Sequence, residues 1–228
     1  MADKNLQDME SHEVVIAKAK DFWTRFSKPI VIISTLVIVG GGGWYAYNNF
    51  VKKPKEKKAT NEMFKAEYYY RVDSVNLALN GDGANPGFLK IIEKYGSTPA
   101  GNLAHYYAGV CYIKLNENDK AISQLKKFST GSKPVQAHAW KLMADAYADL
   151  GKNDDALSYY KKAAYHFEKD QTAAAEYLFD GAYLADRVMK NSKVAIELYK
   201  EVKDKFPGTQ QALMAENYLA QLGVYNIE

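Results

Sequence analysis

Residues 137–170 read AHAWKLMADAYADLGKNDDALSYYKKAAYHFEKD, and this stretch decides the fold. Large and small side chains recur at fixed offsets: Trp140, Ala144 and Tyr147, then Gly151, then Ala156, Tyr160 and Ala163. Spacings of three and four residues before and after a glycine describe two helices joined by a tight turn. The spacing also predicts how they pack. Ala144 of the first helix faces Ala156 of the second, so the axes approach closely, and the large residues fill the gap to the next pair. Trp140 is expected to be buried between helices.

The pattern resembles the tetratricopeptide repeat (TPR), and a search outward finds it again. A unit starting at Asn102 places Gly109, Tyr112, Asn116, Ala121 and Leu125 at the same offsets, with His105 and Phe128 at the two remaining ones. A third unit covers about 174–207, with Tyr177, Gly181 and Leu184 in its first helix and Ala195 and Tyr199 in its second. Its turn is two residues longer, near Met189–Ser192. KYGSTPAG (Lys94–Gly101) and KFPGTQQA (Lys205–Ala212) echo each other, each with a Ser or Thr able to cap the next helix. Before these units, Phe64, Tyr68, Val72, Val75 and Leu79 read as the apolar stripe of one long helix, broken by NGDGANPG, with a short helix over Phe88–Tyr95. After them, Thr209–Leu222 reads as a lone terminal helix. The expected fold is all-α: a TPR-like α-solenoid of about 3.5–4 helical hairpins preceded by a transmembrane helix.

That helix is written in PIVIISTLVIVGGGGWYAYNNFV, Pro29–Val51, which carries no charge. Twenty-odd residues at 1.5 Å each cross a hydrocarbon core of roughly 30 Å. Eight of the ten residues from Ile30 to Val39 are Ile, Val or Leu, enough to favour insertion by a few kcal/mol or so. Trp44, Tyr45 and Tyr47 suit one interface, and Trp23 and Phe26 the other. Pro29 suits a first helical turn. The span starts late and lacks a small-x-small cleavage pattern, so a cleaved leader is disfavoured. Gly40–Gly43 either allows close helix contact or is ordinary membrane-helix composition. Ahead of it, Val15, Ala19, Phe22, Trp23 and Phe26 form one face of an amphipathic helix, for the interface or for a partner. The expected segments are an amphipathic tail 1–28, a membrane helix 29–51, a basic juxtamembrane linker 52–58 and a repeat domain 59–228.

Charge and chemistry narrow the function. Of the net +3 over 228 residues, 29–58 carry +4 and 59–228 carry −1. The basic pI therefore comes from Lys52, Lys53, Lys55, Lys57 and Lys58, not from a nucleic-acid-binding face on the repeats. Cys111 is the single cysteine, so no intramolecular disulfide forms. It reads as a buried packing residue. His12, His105, His138 and His166 form no HxH or HExxH pair; His105 and His138 read as one packed and one exposed. Asp145 and Asp149 share a helix face but have no nucleophile beside them. There is no Gly-rich phosphate loop and no GxSxG. No cofactor, metal or small-molecule substrate is expected, and the chain reads as non-enzymatic.

What TPR stacks offer is a concave surface lined by each first helix. Here those positions are Leu103, Tyr106, Val110 and Ile113, then His138, Lys141, Asp145 and Ala148, then Leu178, Ala182 and Ala185. Tyr106, Val110, Ile113, Lys141 and Asp145 are the candidate partner-binding residues, an exposed apolar strip with a charged middle suited to a protein segment. The chain's own Phe64–Leu79 helix is an alternative occupant.

The whole layout, with FWTRFSKP (Phe22–Pro29), a span ending in WYAY (Trp44–Tyr47) and a repeat domain, resembles the YfgM-like ancillary subunits of the bacterial Sec translocon. That resemblance implies an inner-membrane anchor with a cytoplasmic N-terminus and periplasmic repeats. It also implies association with the SecYEG channel and with PpiD, a membrane-anchored prolyl-isomerase-type chaperone, in handing exported proteins onward. Lysine and arginine within about 20 residues of the span number four before it and six after it, which favours cytoplasmic repeats instead. A cytosol-facing TPR receptor, of the mitochondrial import type, or a regulatory co-chaperone scaffold remains an alternative.

Overall fold

The computed structural model describes residues 2–225, with side chains from Val14 onward; His12 lies outside the described side chains. The fold is all-α. Its elements are α1 (Ala2–Tyr47), a π-turn (Asn48–Lys52), α2 (Lys53–Arg71), α3 (Val75–Asn80), α4 (Phe88–Tyr95), α5 (Pro99–Lys114), α6 (Asn118–Leu125), α7 (Lys133–Asp149), α8 (Asn153–His166), α9 (Gln171–Tyr183), a second π-turn (Leu184–Val188), α10 (Ser192–Lys205) and α11 (Gln210–Gln221). The chain divides into two units at Pro54.

In the first unit, α1 is one helix through the tail and the apolar run. Pro29 therefore lies inside a helix and not in its first turn. One window of this helix reaches a mean hydropathy of 1.6, and none of that window is buried, which is long and apolar enough to cross a membrane. Phe22, Trp23 and Phe26 are exposed, and the Phe22 and Phe26 rings pair at 4.9 Å. The segment 52–58, expected as a linker, is helical: the π-turn ends at Lys52 and α2 begins at Lys53.

The second unit is a stack of antiparallel helix pairs, α5/α6, α7/α8 and α9/α10, with α2–α4 before them and α11 after. The sequence signals act as expected at several ends. Thr98 Oγ1 accepts from Gly101 N at 3.1 Å with Pro99 at the first turn, and Thr209 Oγ1 accepts from Ala212 N at 3.2 Å. Each pair turns on a left-handed residue: Asn116 (φ 58°), Gly151 (φ 70°) and Lys190 (φ 55°). The first two turns close identically, with Glu117 N donating to Tyr112 O at 2.8 Å and Lys152 N to Tyr147 O at 2.9 Å. In the third pair the matching bond spans one residue more, from Asn191 N to Ala185 O at 2.8 Å. The π-turn Leu184–Val188 takes up extra backbone there, which accounts for the longer connection seen in the sequence.

Small residues set the helix separation. Ala144 and Ala156 are both fully buried. A methyl group on Gly109 would stand 2.5 Å from Leu125 Cγ and 3.4 Å from Ala121 O, so the bare backbone of α5 at Gly109 receives the Leu125 side chain of α6. Trp140 is half-buried, not enclosed: its ring meets His166 edge-on at 4.7 Å, and Lys162 Nζ lies over it at 4.1 Å. It packs on two neighbouring core clusters, as do Leu157 and Met189, while Leu103 and Ile113 join the preceding two. The core is thereby continuous along the stack.

The stripe from Phe64 to Leu79 is not one helix face. Helix α2 stops at Arg71, and Asp73 turns left-handed (φ 57°) as Ser74 N bonds Tyr69 O at 2.8 Å. The buried side of α2 is Ala59, Met63 and Ala66, whereas Phe64, Tyr68 and Val72 face solvent. Ala59, Met63 and Ala66 share a buried cluster with Leu79, Phe88 and Ile91, so this face went inward and the aromatic one outward.

Candidate partner-binding surface

Helices α5, α7 and α9 are the first helices of successive pairs. On α5, Tyr106, Val110 and Ile113 are half-buried rather than an open strip. The Tyr106 ring packs on Phe128 at 5.2 Å and Tyr107 at 5.7 Å. Its hydroxyl shares a 2.9 Å hydrogen bond with His138 Nδ1 on α7. Burial pushes the Tyr106 phenol up to about 12, so it remains a neutral hydroxyl. Ile113 reaches into the core on both sides of its helix.

On α7, Lys141 Nζ lies 2.9 Å from Asp145 Oδ2 and 3.7 Å from Asp180 Oδ2 on α9. Asp145 Oδ1 accepts from the Tyr160 hydroxyl of α8 at 2.7 Å. Burial acts on this group in opposite senses. It pushes the Asp180 carboxyl from an ordinary 3.8 up to about 6, against the pull of Lys141. Burial also draws Lys141 down, but the hydrogen bond and charge of Asp145 outweigh it and leave that ammonium raised. Partial burial, then the Lys141 charge, lowers His138. Lys141 is thus held ionised between two aspartates, and exposed Glu176 adds another negative charge on α9. With every group ionised, Lys141, Asp145, Glu176 and Asp180 sum to −2, which favours a cation over an anion at this surface.

Asp180, Glu176 and Tyr160 were not singled out as surface residues by the repeat pattern. Tyr160 carried a signal, as the large residue of its helix. Asp180 carried none, because its importance arises from the approach of α9 to α7. Conversely Leu178, Ala182 and Ala185, read as groove lining, are fully buried in the core formed with α10 and α11. Asp149 is turned away to Asn118, whose Nδ2 donates to it at 3.3 Å. His105 is packed and bonded to Gln124 Oε1 at 2.7 Å. Cys111 is buried, and burial raises its thiol to about 12. No group of three or more His, Cys, Asp or Glu is placed to hold a metal ion among the described residues.

Antiparallel pairs of this length, packed small-on-small and stacked on a continuous core, define a TPR-type helical repeat protein, a class that serves as a protein-interaction scaffold. Residues 20–164 match the family described as Tetratricopeptide repeat-like domain, and the chain belongs to that family. Among solved structures it is similar to a crystal structure from Podosopora anserina, named for kinesin light chain and built of nearly identical TPR-like repeats. The TM-score is 0.55 at 14% identity, over 73% of this chain and 85% of that one, which is a likeness of fold. No curated protein matches this chain in sequence.

Proposed function

We propose that this chain is a membrane-anchored TPR scaffold that joins the Sec translocon to a chaperone during protein export. The observation that carries the reading is the pairing, in one chain, of an unburied, uncharged apolar helix with a TPR stack. In this reading Pro29–Val51 spans the bacterial inner membrane, the N-terminus is cytoplasmic and the repeats are periplasmic. SecYEG and a PpiD-like chaperone are its partners, as the likeness to YfgM-type subunits implies. The half-buried Tyr106, Val110 and Ile113 with Lys141 and Asp145 receive a protein segment, and the excess of carboxylates there selects one bearing basic side chains.

Protease added to intact spheroplasts tests it. Digestion of residues 59–228 is the expected result. Protection of the repeats favours the cytosol-facing receptor, the orientation toward which the lysine count points.

A further inference from the structure

Helix α2 turns two of its carboxylates to intramolecular partners. Glu56 Oε2 accepts from Ala100 N at 3.2 Å, and Glu62 accepts from the Tyr95 hydroxyl at 2.7 Å. Glu67 is half-buried, within electrostatic range of Arg71. The opposite side of the helix carries Phe64, Tyr68 and Val72 at i, i+4 and i+8, which are 64%, 45% and 51% exposed. Lys65 Nζ rests 4.8 Å from the Tyr68 ring, and Arg71 Cζ 6.0 Å from the Phe64 ring. Neither cation pairs with a carboxylate among the described residues. An open depression of about 500 Å³ adjoins this face, with Asn61, Phe64 and Lys65 on one side and Asn85, Pro86 and Lys94 on the other. Its far wall is a fixed loop. Asp82 Oδ1 accepts from Ala84 N at 2.9 Å and Asn85 N at 2.6 Å, and Oδ2 accepts from Asn85 Nδ2 at 2.8 Å and from the Tyr69 hydroxyl of α2 at 2.6 Å. The Tyr69 bond first, then those of Asn85, hold the Asp82 carboxyl well below its ordinary range. That carboxylate is committed to the loop.

We propose that the outer face of α2, with the depression beside it, docks an acidic protein segment whose apolar side chains seat against Phe64, Tyr68 and Pro86. Every residue of this site lies in the repeat unit, so the proposal does not depend on Pro29–Val51 crossing a membrane. Three things choose the occupant. Lys65 and Arg71 face outward while the carboxylates of α2 are engaged elsewhere or half-buried, so the charge offered is positive. The exposed aromatics supply the apolar anchors of a protein interface, and the tied loop supplies a wall that needs no ordering on binding. A second copy of the same face would bring like charges together. The surface on α5, α7 and α9 has the opposite sign, through Asp145, Glu176 and Asp180 around Lys141. The repeat unit therefore sorts two kinds of segment by charge, basic on one surface and acidic on the other.

The test uses the full chain in uncharged detergent micelles and two short dye-labelled peptides. One carries a pair of phenylalanines at i, i+4 spacing among aspartates and glutamates; the other has lysine in place of each acid. Fluorescence anisotropy reads binding, with empty micelles as the blank. The acidic peptide should bind, and more weakly as salt is raised. Phe64→Ser with Tyr68→Ser, and separately Lys65→Glu with Arg71→Glu, should each weaken it by roughly tenfold. Neither pair should change binding of the basic peptide or the helical circular dichroism, since these side chains are exposed or half-buried. Glu176→Lys should leave the acidic peptide unaffected. Absence of acidic-peptide binding, or binding that neither α2 pair weakens, overturns the proposal and leaves the α5–α9 surface as it stands. Loss of both peptides to the same extent in the aromatic pair also overturns it, since the face would then be apolar without a choice of charge. Dimerisation in sedimentation that the aromatic pair abolishes overturns it in favour of a second copy.

Discussion

The hydroxyl of Tyr160 donates to Asp145 Oδ1 across 2.7 Å, tying the second helix of a TPR pair to the first. The other oxygen of the same carboxylate holds Lys141 at 2.9 Å. One side chain therefore joins intra-pair packing to the surface proposed for partners. Tyr160 is 7% exposed, so losing its acceptor strands a nearly buried hydroxyl.

Asp145→Ala should accordingly destabilise the repeat domain by about 2–3 kcal/mol, because it leaves both a phenol and an ammonium without their main partner. Tyr160→Phe removes only the donor and should cost about 1 kcal/mol. Chemical denaturation of both variants checks the order. A Tyr160→Phe cost equal to or above that of Asp145→Ala would mean the carboxylate does not organise this group.

The raised Asp180 carboxyl predicts a pH effect with a definite sign. Its pKa stands at about 6 in the folded chain, above the ordinary 3.8, so the folded state holds the proton more tightly. That contribution is complete below about pH 4 and is lost as pH rises through about 6. Stability should fall over this window on account of Asp180. Asp180→Asn should flatten the window and raise stability at pH 7 by about 1–2 kcal/mol, after allowance for a side chain one-third exposed. A variant with an unaltered pH profile would show that Lys141 keeps this carboxylate ionised.

Close approach of α5 and α6 depends on Gly109. Gly109→Ala forces Leu125 or the helix axis to move and should cost about 1–3 kcal/mol. Ala156→Leu, at a fully buried contact in the next pair, should cost a similar amount. Lys152→Ala removes only an exposed ion pair with Asp119 and should stay within about 0.5 kcal/mol. Melting curves showing three equal, small shifts would place the small-residue contact elsewhere.

For the partner surface, Val110→Lys and Glu176→Lys alter it with little burden on the core, since Val110 is half-buried and Glu176 exposed. Both should weaken co-purification of SecYEG or the chaperone, with melting temperatures near that of the parent chain. Undiminished capture by both variants would move the binding surface off α5–α9. Residues 1–58 grafted to an unrelated soluble domain provide the companion measurement. Capture by that graft assigns recognition to the anchor segment.

The repeat register was legible because it follows from two local rules: apolar spacing at three and four residues, and a turn residue able to adopt positive φ. Gly151 and Asn116 announced their turns in this way. Lys190 did not, because lysine has no such preference and the π-turn before it has no sequence signature. The outward direction of Phe64 and Tyr68 was also hidden. Periodicity identifies a face but does not say whether the aromatic side or the Ala59–Ala66 side meets a neighbour.

By itself the sequence determined an all-α chain of TPR-type pairs, the apolar helix ahead of them, the cap at Thr209, and the packing of Cys111. Each of these follows from residues near one another in the chain or from a repeat of fixed length. The tertiary structure alone decided that Lys141 is shared between Asp145 and Asp180, that Leu178, Ala182 and Ala185 lie in the core, and that Trp140 is only half-covered. These depend on distances between helices tens of residues apart. Such distances are set by which small side chains let the backbones meet, a property of the packed stack and not of any single helix.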